Sequence, residues 1–124
     1  MANELILIVE DNEKNRKLER DVLQAKGYRT IEAETGEAGV RLAKEHRPAL
    51  VLMDIQLPGI DGITALGQLR DDVATRVIPV IAVTASVMTH DRQKIMAAGF
   101  DGYQSKPIRV KEFLEAVRAM LDRK

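Results

Sequence analysis

Residues 49–59 read Ala-Leu-Val-Leu-Met-Asp-Ile-Gln-Leu-Pro-Gly, an apolar run that ends in a carboxylate, Asp54, and breaks at Pro58-Gly59. An uninterrupted apolar run of this length suits a strand covered on both faces. A charge at the end of such a strand is expensive unless something there uses it. Three other segments share the design. Leu5–Val9 runs into Glu10-Asp11, Pro79–Val83 into Thr84, and Gly102–Ser105 into Lys106-Pro107. Four strand-like segments thus deliver an acid pair, an acid, a hydroxyl and a lysine. The pattern reads as a metal-assisted phosphorylation site built around Asp54.

Between the apolar runs lie stretches of helical period, the mark of βα units and a parallel sheet. Strands are predicted at Leu5–Val9, Arg29–Ala33, Leu50–Met53, Val80–Val83 and Gly102–Ser105. Helices are predicted at Glu13–Lys26, Gly36–Glu45, Gly62–Arg70, Thr89–Ala98 and Val110–Leu121. The last is the clearest, with Val110, Phe113, Leu114, Val117 and Leu121 on one face. Gly27 and Gly99 stand where C-terminal helix caps belong. Arg29–Ala33 alternates in polarity and reads as an edge strand. In an open sheet of this kind, ligands bind beyond the carboxyl ends of the strands.

Composition narrows the function. The 124 residues suit one domain, and 45% hydrophobic residues are enough for a proper core. Lys plus Arg and Asp plus Glu both number 19, and no basic tract is present, so nothing points to direct nucleic-acid contact. Cysteine is absent, which removes thiolate chemistry and cysteine-held metals. The N-terminus lacks the pattern of a signal peptide, and no apolar run reaches membrane-spanning length. A cytoplasmic domain with no membrane contact is expected.

The polar residues make chemical sense as a set. Two carboxylates about 4 Å apart repel by roughly 4 kcal/mol at an effective dielectric of 20, so three in one pocket call for a cation. Oxygen ligands without histidine or cysteine select magnesium-like ions. Asp11 and Asp54 would bind directly and Glu10 through a water. Asp54 can then attack phosphorus to give an aspartyl phosphate, while Lys106 and Thr84 serve the phosphoryl oxygens.

The chain resembles the response-regulator receiver family of two-component systems over essentially its whole length. The resemblance rests on Leu7–Asn12, Met53–Gly62, Val83-Thr84-Ala85 and Lys106-Pro107-Ile108, in that order. It implies a flavodoxin-like doubly wound (βα)5 fold, α/β in class, with strand order 2-1-3-4-5. It assigns Asp54 as phosphoacceptor, Glu10 and Asp11 as acidic metal pair, and the backbone carbonyl of Gln56 as a further ligand for Mg2+. Thr84 matches the switch hydroxyl, Lys106 the phosphoryl-contacting lysine and Tyr103 the switch aromatic, and the Lys106–Pro107 bond is a cis-peptide candidate. Gln56 and Ser86 would flank the hydrolysis pocket. The implied donor is a sensor histidine kinase or a histidine phosphotransfer protein. The implied effector surface is Ser86–Lys94 with Tyr103–Arg109, on a monomer or weak dimer. Such a domain is not a conventional enzyme: it catalyses its own phosphorylation and slow dephosphorylation. Residues 1–124 are expected to form the receiver without an output domain, closest in wording to single-domain regulators of the cell cycle.

Each residue also has a plainer reading. Asp11 suits a helix start, Asp54 a turn, Thr84 a strand interior, Lys106 a solvated surface and Tyr103 a half-buried end to the last strand. His46 and His90 read as surface residues, Gly62 as a helix start, and Met88, Met96 and Met120 as packing for the core or a partner. A receiver excised from a hybrid kinase or a DNA-binding regulator remains an alternative. A flavin binder would need a phosphate loop where Glu10-Asp11-Asn12 stands. An aspartate-dependent phosphatase would carry a second aspartate at position 56, where this chain has Gln56.

Overall fold

The computed structural model describes residues 3–85 and 89–123, with no description of the side chains of residues 89–91. Five parallel strands, β1 Leu5–Val9, β2 Arg29–Ala33, β3 Leu50–Asp54, β4 Val80–Thr84 and β5 Gly102–Ser105, form one sheet in the order β2-β1-β3-β4-β5. Helices α1 Glu13–Ala25, α2 Gly36–His46, α3 Gly62–Arg70, α4 Thr89–Ala97 and α5 Val110–Leu121 alternate with them. This is the doubly wound, flavodoxin-like arrangement. Three chain-order differences from expectation are single-residue shifts at helix ends. Two others matter more: β3 and β4 each run one residue further, so that Asp54 pairs with Val83 and Thr84 with Ser105 in the ladder.

Alternation along the strands builds two cores. Leu7, Val9, Val51, Met53, Val80 and Ala82 face Val40 and Ala43 of α2, Ala65, Leu66 and Leu69 of α3, and Ile95 of α4. Ile6, Ile8, Leu50, Leu52, Ile81 and Val83 face Leu23 of α1 and Phe113, Val117 and Leu121 of α5. Both faces of β1, β3 and β4 are therefore apolar, which is why these strands show no polar alternation. β2 is an edge, as its mixed sequence predicts. The α5 stripe needs one correction. Val110 opens the helix and is 46% exposed, so the buried face starts at Phe113. Met96 is exposed as well, whereas Met120 packs on the α1–α5 side; Met88 lies outside the described residues.

Side chains start three helices. Asn12, Thr35 and Asp61 each accept the N–H three residues on, satisfying donors that a helix start leaves unpaired. Gly27 and Gly99 take φ of 91° and 110° just beyond α1 and α4, the left-handed geometry that ends a helix cheaply only with glycine.

Gly62 has a different reason to lack a side chain. A Cβ there would lie 2.3 Å from the Asp54 carbonyl oxygen and 2.9 Å from Ile55 Cα. Helix α3 thus seats its first residue directly on the backbone carrying Asp54, and Gly62 N–H donates to Ile55 O at 2.9 Å. Gly67, also in α3, faces open space. Gly62→Ala is expected to lose about 1–3 kcal/mol through overpacking, and Gly67→Ala to gain about 0.5–1 kcal/mol through helix propensity. Urea denaturation of the pair checks both signs, and equal behaviour would remove the claimed contact with the Asp54 backbone.

Candidate functional site

The sheet carries the polar residues to one end because every strand runs the same way. Glu10 follows β1, Asp54 ends β3, Thr84 ends β4 and Lys106 follows β5. Glu10, Asp54 and Thr84 are buried, at 1%, 4% and 1% exposure, while Asp11 faces solvent. Oxygens of Glu10, Asp11 and Asp54 all lie within 4.8 Å of one another. Lys106 Nζ is 2.6 Å from Glu10 Oε1 and 2.9 Å from Asp54 Oδ2. One ammonium thus bridges two buried carboxylates.

Backbone groups hold the carboxylates in place. Gln56 N–H donates to Asp54 Oδ1 at 3.1 Å, and Asn12 N–H donates to Glu10 Oε2 at 3.0 Å. Gln56 therefore joins the site through its amide, while its side chain is exposed. Lys106 N–H donates to Thr84 O at 2.9 Å, tying the lysine's backbone to the end of β4. The Lys106–Pro107 peptide is cis. Tyr103, half-buried on β5, packs against the core on the α2–α4 side and carries the Arg92 guanidinium 5.2 Å from its ring centre. Ser86 lies outside the described residues, as does the His90 side chain; His46 is exposed.

The donors fit a hard cation such as Mg2+. They are all oxygens, and Glu10 Oε1 is fully buried without a hydrogen bond. Its contact with Lys106 is an ion pair lacking hydrogen-bond geometry. A buried carboxylate oxygen in that condition is costly unless a further charge meets it.

The electrostatics agree. Burial pushes the Glu10 pKa up to about 7; Lys106 and the Asn12 amide oppose this and Asp54 adds to it. Burial also works against the Lys106 ammonium, but its contacts with Glu10 and Asp54 prevail and hold its pKa above the ordinary value.

Two residues escape motif reading. Arg16, one turn into α1, donates to the Glu10 carbonyl; nothing in the sequence pairs it with β2 until the strand order is known. Glu19 lies four residues before Leu23 on the buried face of α1, an acid on an apolar stripe and so a legible signal. It is 2% exposed, and its carboxylate makes no hydrogen bond or ion pair among the described residues.

The response regulator receiver domain profile matches residues 6–118. The chain belongs to the receiver family. Among its relatives, the polar-differentiation response regulator DivK of Brucella anthropi is 49% identical over 116 residues, 94% of each chain. DivK of Brucella ovis is 48% identical over the same share. A putative response regulator from Chloroflexus aurantiacus superposes with TM-score 0.93 at 28% identity, covering 98% of this receiver and 99% of that chain. The receiver domain of a Pseudomonas aeruginosa sensor histidine kinase superposes with TM-score 0.91 at 33% identity and the same coverage, and was solved with magnesium coordinated in its active-site cleft. No helix among the described residues of this receiver is long and apolar enough to cross a membrane.

Glu19 gives the receiver a pH-dependent stability. Burial pushes its pKa up to about 8, with Glu10 adding, Lys106 opposing and Asp54 adding. From the ordinary value of 4.5 up to about 8, the folded state holds a proton that the unfolded chain has released. Its contribution is present below that range and is lost as pH rises through it. Glu19→Leu should flatten this decline and raise stability near pH 8 by roughly 1–3 kcal/mol. Glu10, whose pKa is raised in the same direction, keeps part of the slope. Urea midpoints from about pH 5 to about pH 8.5 measure it; an unchanged slope in the variant would refute the burial account.

Proposed function

We propose that this chain is a stand-alone phosphorylation switch, in which Asp54 takes a phosphoryl group from a phosphohistidine of a sensor histidine kinase or a histidine phosphotransfer protein. The observation that carries the reading is the Lys106 ammonium set between Asp54 and Glu10 at the carboxyl ends of the strands. The 49% identity to DivK over 94% of each chain supports a role in cell-cycle or polarity control.

Asp11 and Asp54 would hold Mg2+ with the Gln56 backbone carbonyl, and Glu10 through a water. The bound ion supplies positive charge against which the carboxylates and the phosphoryl oxygens are stabilised. Asp54 forms the new O–P bond as the donor P–N bond breaks, and the imidazole leaves with the electron pair. The Gln56 amide orients the nucleophile through Oδ1. Lys106 exchanges Asp54 Oδ2 for a phosphoryl oxygen, and the Thr84 hydroxyl donates to another.

The same exchange provides the switch. Movement of the Thr84 hydroxyl toward the phosphoryl group frees space that Tyr103 enters, shifting a two-state equilibrium at the α4–β5 surface. Effector contact is assigned there, to the described residues Arg92–Lys94 and Tyr103–Arg109; Ser86–Met88 of the expected surface lie outside the described residues. Gln56 tunes the lifetime of the phosphoryl group.

Incubation with Mg2+ and acetyl phosphate, followed by intact mass, tests the chemistry. One phosphoryl addition is expected, abolished in Asp54→Asn and suppressed by a chelator; full labelling of Asp54→Asn would sink the assignment. Lys106→Ala is expected to accept the group and yet leave the Tyr103 ring resonances at their unphosphorylated positions. A wild-type shift in that variant would remove Lys106 from the switch.

A further inference from the structure

Glu10 is fixed from three sides. Its N–H donates to Ala33 O at 3.0 Å, the last rung between the first strand and the edge strand. Its Oε2 accepts the Asn12 N–H. Its carbonyl accepts Arg16 Nη1 at 3.0 Å. These bonds leave Oε1 without a hydrogen bond, 2.6 Å from Lys106 Nζ, in a carboxylate that clusters within 4.8 Å of those of Asp11 and Asp54.

Arg16 is itself anchored. Its Nε donates to Glu32 Oε1 at 3.0 Å, and Arg20 Nη1 donates to both Glu32 oxygens at 3.1 Å. Two arginines one helical turn apart therefore grip one carboxylate of β2. The Arg16 side chain is only 14% exposed, with Glu34 a further 3.9 Å neighbour. A guanidinium is suited to this because its planar fork points separate N–H groups in fixed directions, one at the Glu32 carboxylate and one at the Glu10 carbonyl, a geometry that the single nitrogen of an ammonium does not offer.

We propose that Arg16, clamped by Glu32, is a positioning residue that holds the Glu10–Asp11 turn in the shape needed to take up the divalent cation. The inference rests on the reading of this pocket as a cation site. Arg16 touches neither the cation nor the phosphoryl group; it acts through the Glu10 carbonyl. Outer partners of metal ligands commonly contribute 10–100-fold in affinity, and a contact through the backbone belongs at the lower end.

The sign of the effect separates positioning from simple electrostatics. Removing a positive charge near an acidic pocket strengthens cation binding if charge alone acts. Loss of positioning weakens it.

The test is titration of the isotope-labelled full chain with magnesium chloride alone, followed at the Asp11 and Asn12 amides, with thermal unfolding as a control. Arg16→Met, which keeps the aliphatic stem, is expected to need about 10-fold more magnesium for half-saturation. Arg16→Lys is expected to recover only part of the loss, since it restores the charge without the fork. Glu32→Gln, which leaves Arg16 in place and loosens its anchor, is expected to weaken binding in the same direction. Arg16→Gln, which also removes the positive charge and so keeps the sign test, serves in place of Arg16→Met if that variant fails to fold. Lys17→Met, which removes an exposed ion pair on the same helix, is expected to leave the affinity unchanged. Wild-type affinity or tighter in both Arg16→Met and Glu32→Gln would overturn the inference, as would full recovery by Arg16→Lys. Absence of any magnesium response in the wild type would instead overturn the cation-site reading and this inference with it.

Discussion

Three carboxylates whose oxygens fall within 4.8 Å of one another set the terms for the rest of the site. Two of them are buried, so solvent does little to screen their repulsion. Lys106 answers part of that cost by touching both buried acids, and its own burial is tolerable only because they are there. One ammonium cannot balance three acids, and the Glu10 oxygen left without a hydrogen bond marks the remaining deficit. The pocket is built around an electrostatic imbalance, which in the proposed reading a divalent cation would correct.

Holding that imbalance in a folded chain requires a stiff frame. Strands β1, β3 and β4 are apolar on both faces and sandwiched between two cores, so their ends have little freedom to splay apart. Gly62 permits α3 to sit on the Asp54 backbone, and the backbone bond from Lys106 to Thr84 ties the end of β4 to the segment after β5. The repulsion that Lys106 does not offset is resisted by the covalent and hydrogen-bonded geometry of the sheet. The N-terminal ends of the same strands carry no comparable cluster among the described residues, in keeping with ligand chemistry collecting at carboxyl ends.

Much of this was legible in the sequence because burial on both faces removes polar residues from a strand and leaves its end conspicuous. Asp54 and Thr84 even proved to be the last residues of their strands. What periodicity does not contain is which strand lies beside which. The order 2-1-3-4-5 came from family resemblance, and without it Glu32 and Arg16 are unrelated charges on an edge strand and an exposed-looking helix. Val110 failed for a local reason: the first residue of a helix overhangs the core that the next turn covers. Glu19 could be noticed as an acid on an apolar stripe, but its lack of a hydrogen-bond or ion-pair partner among the described residues depends on what packs across from it.

The bridging lysine also explains why one site can serve both chemistry and signalling in the proposed switch. An ammonium shared between Asp54 and Glu10 is committed to neither, so a phosphoryl group on Asp54 competes for it on favourable terms, bringing more charge and more acceptor oxygens. Moving Lys106 cannot be a private event, because its backbone is bonded to the end of β4 and its segment follows β5, where Tyr103 sits beneath Arg92. The strand ending in Thr84 and the strand carrying Tyr103 are thus joined through Lys106, the residue that the proposal assigns to the phosphoryl group. In the proposed switch, a change of charge at Asp54 would reach the α4–β5 surface through Lys106, whose ammonium touches Asp54 and whose backbone is bonded to the end of β4.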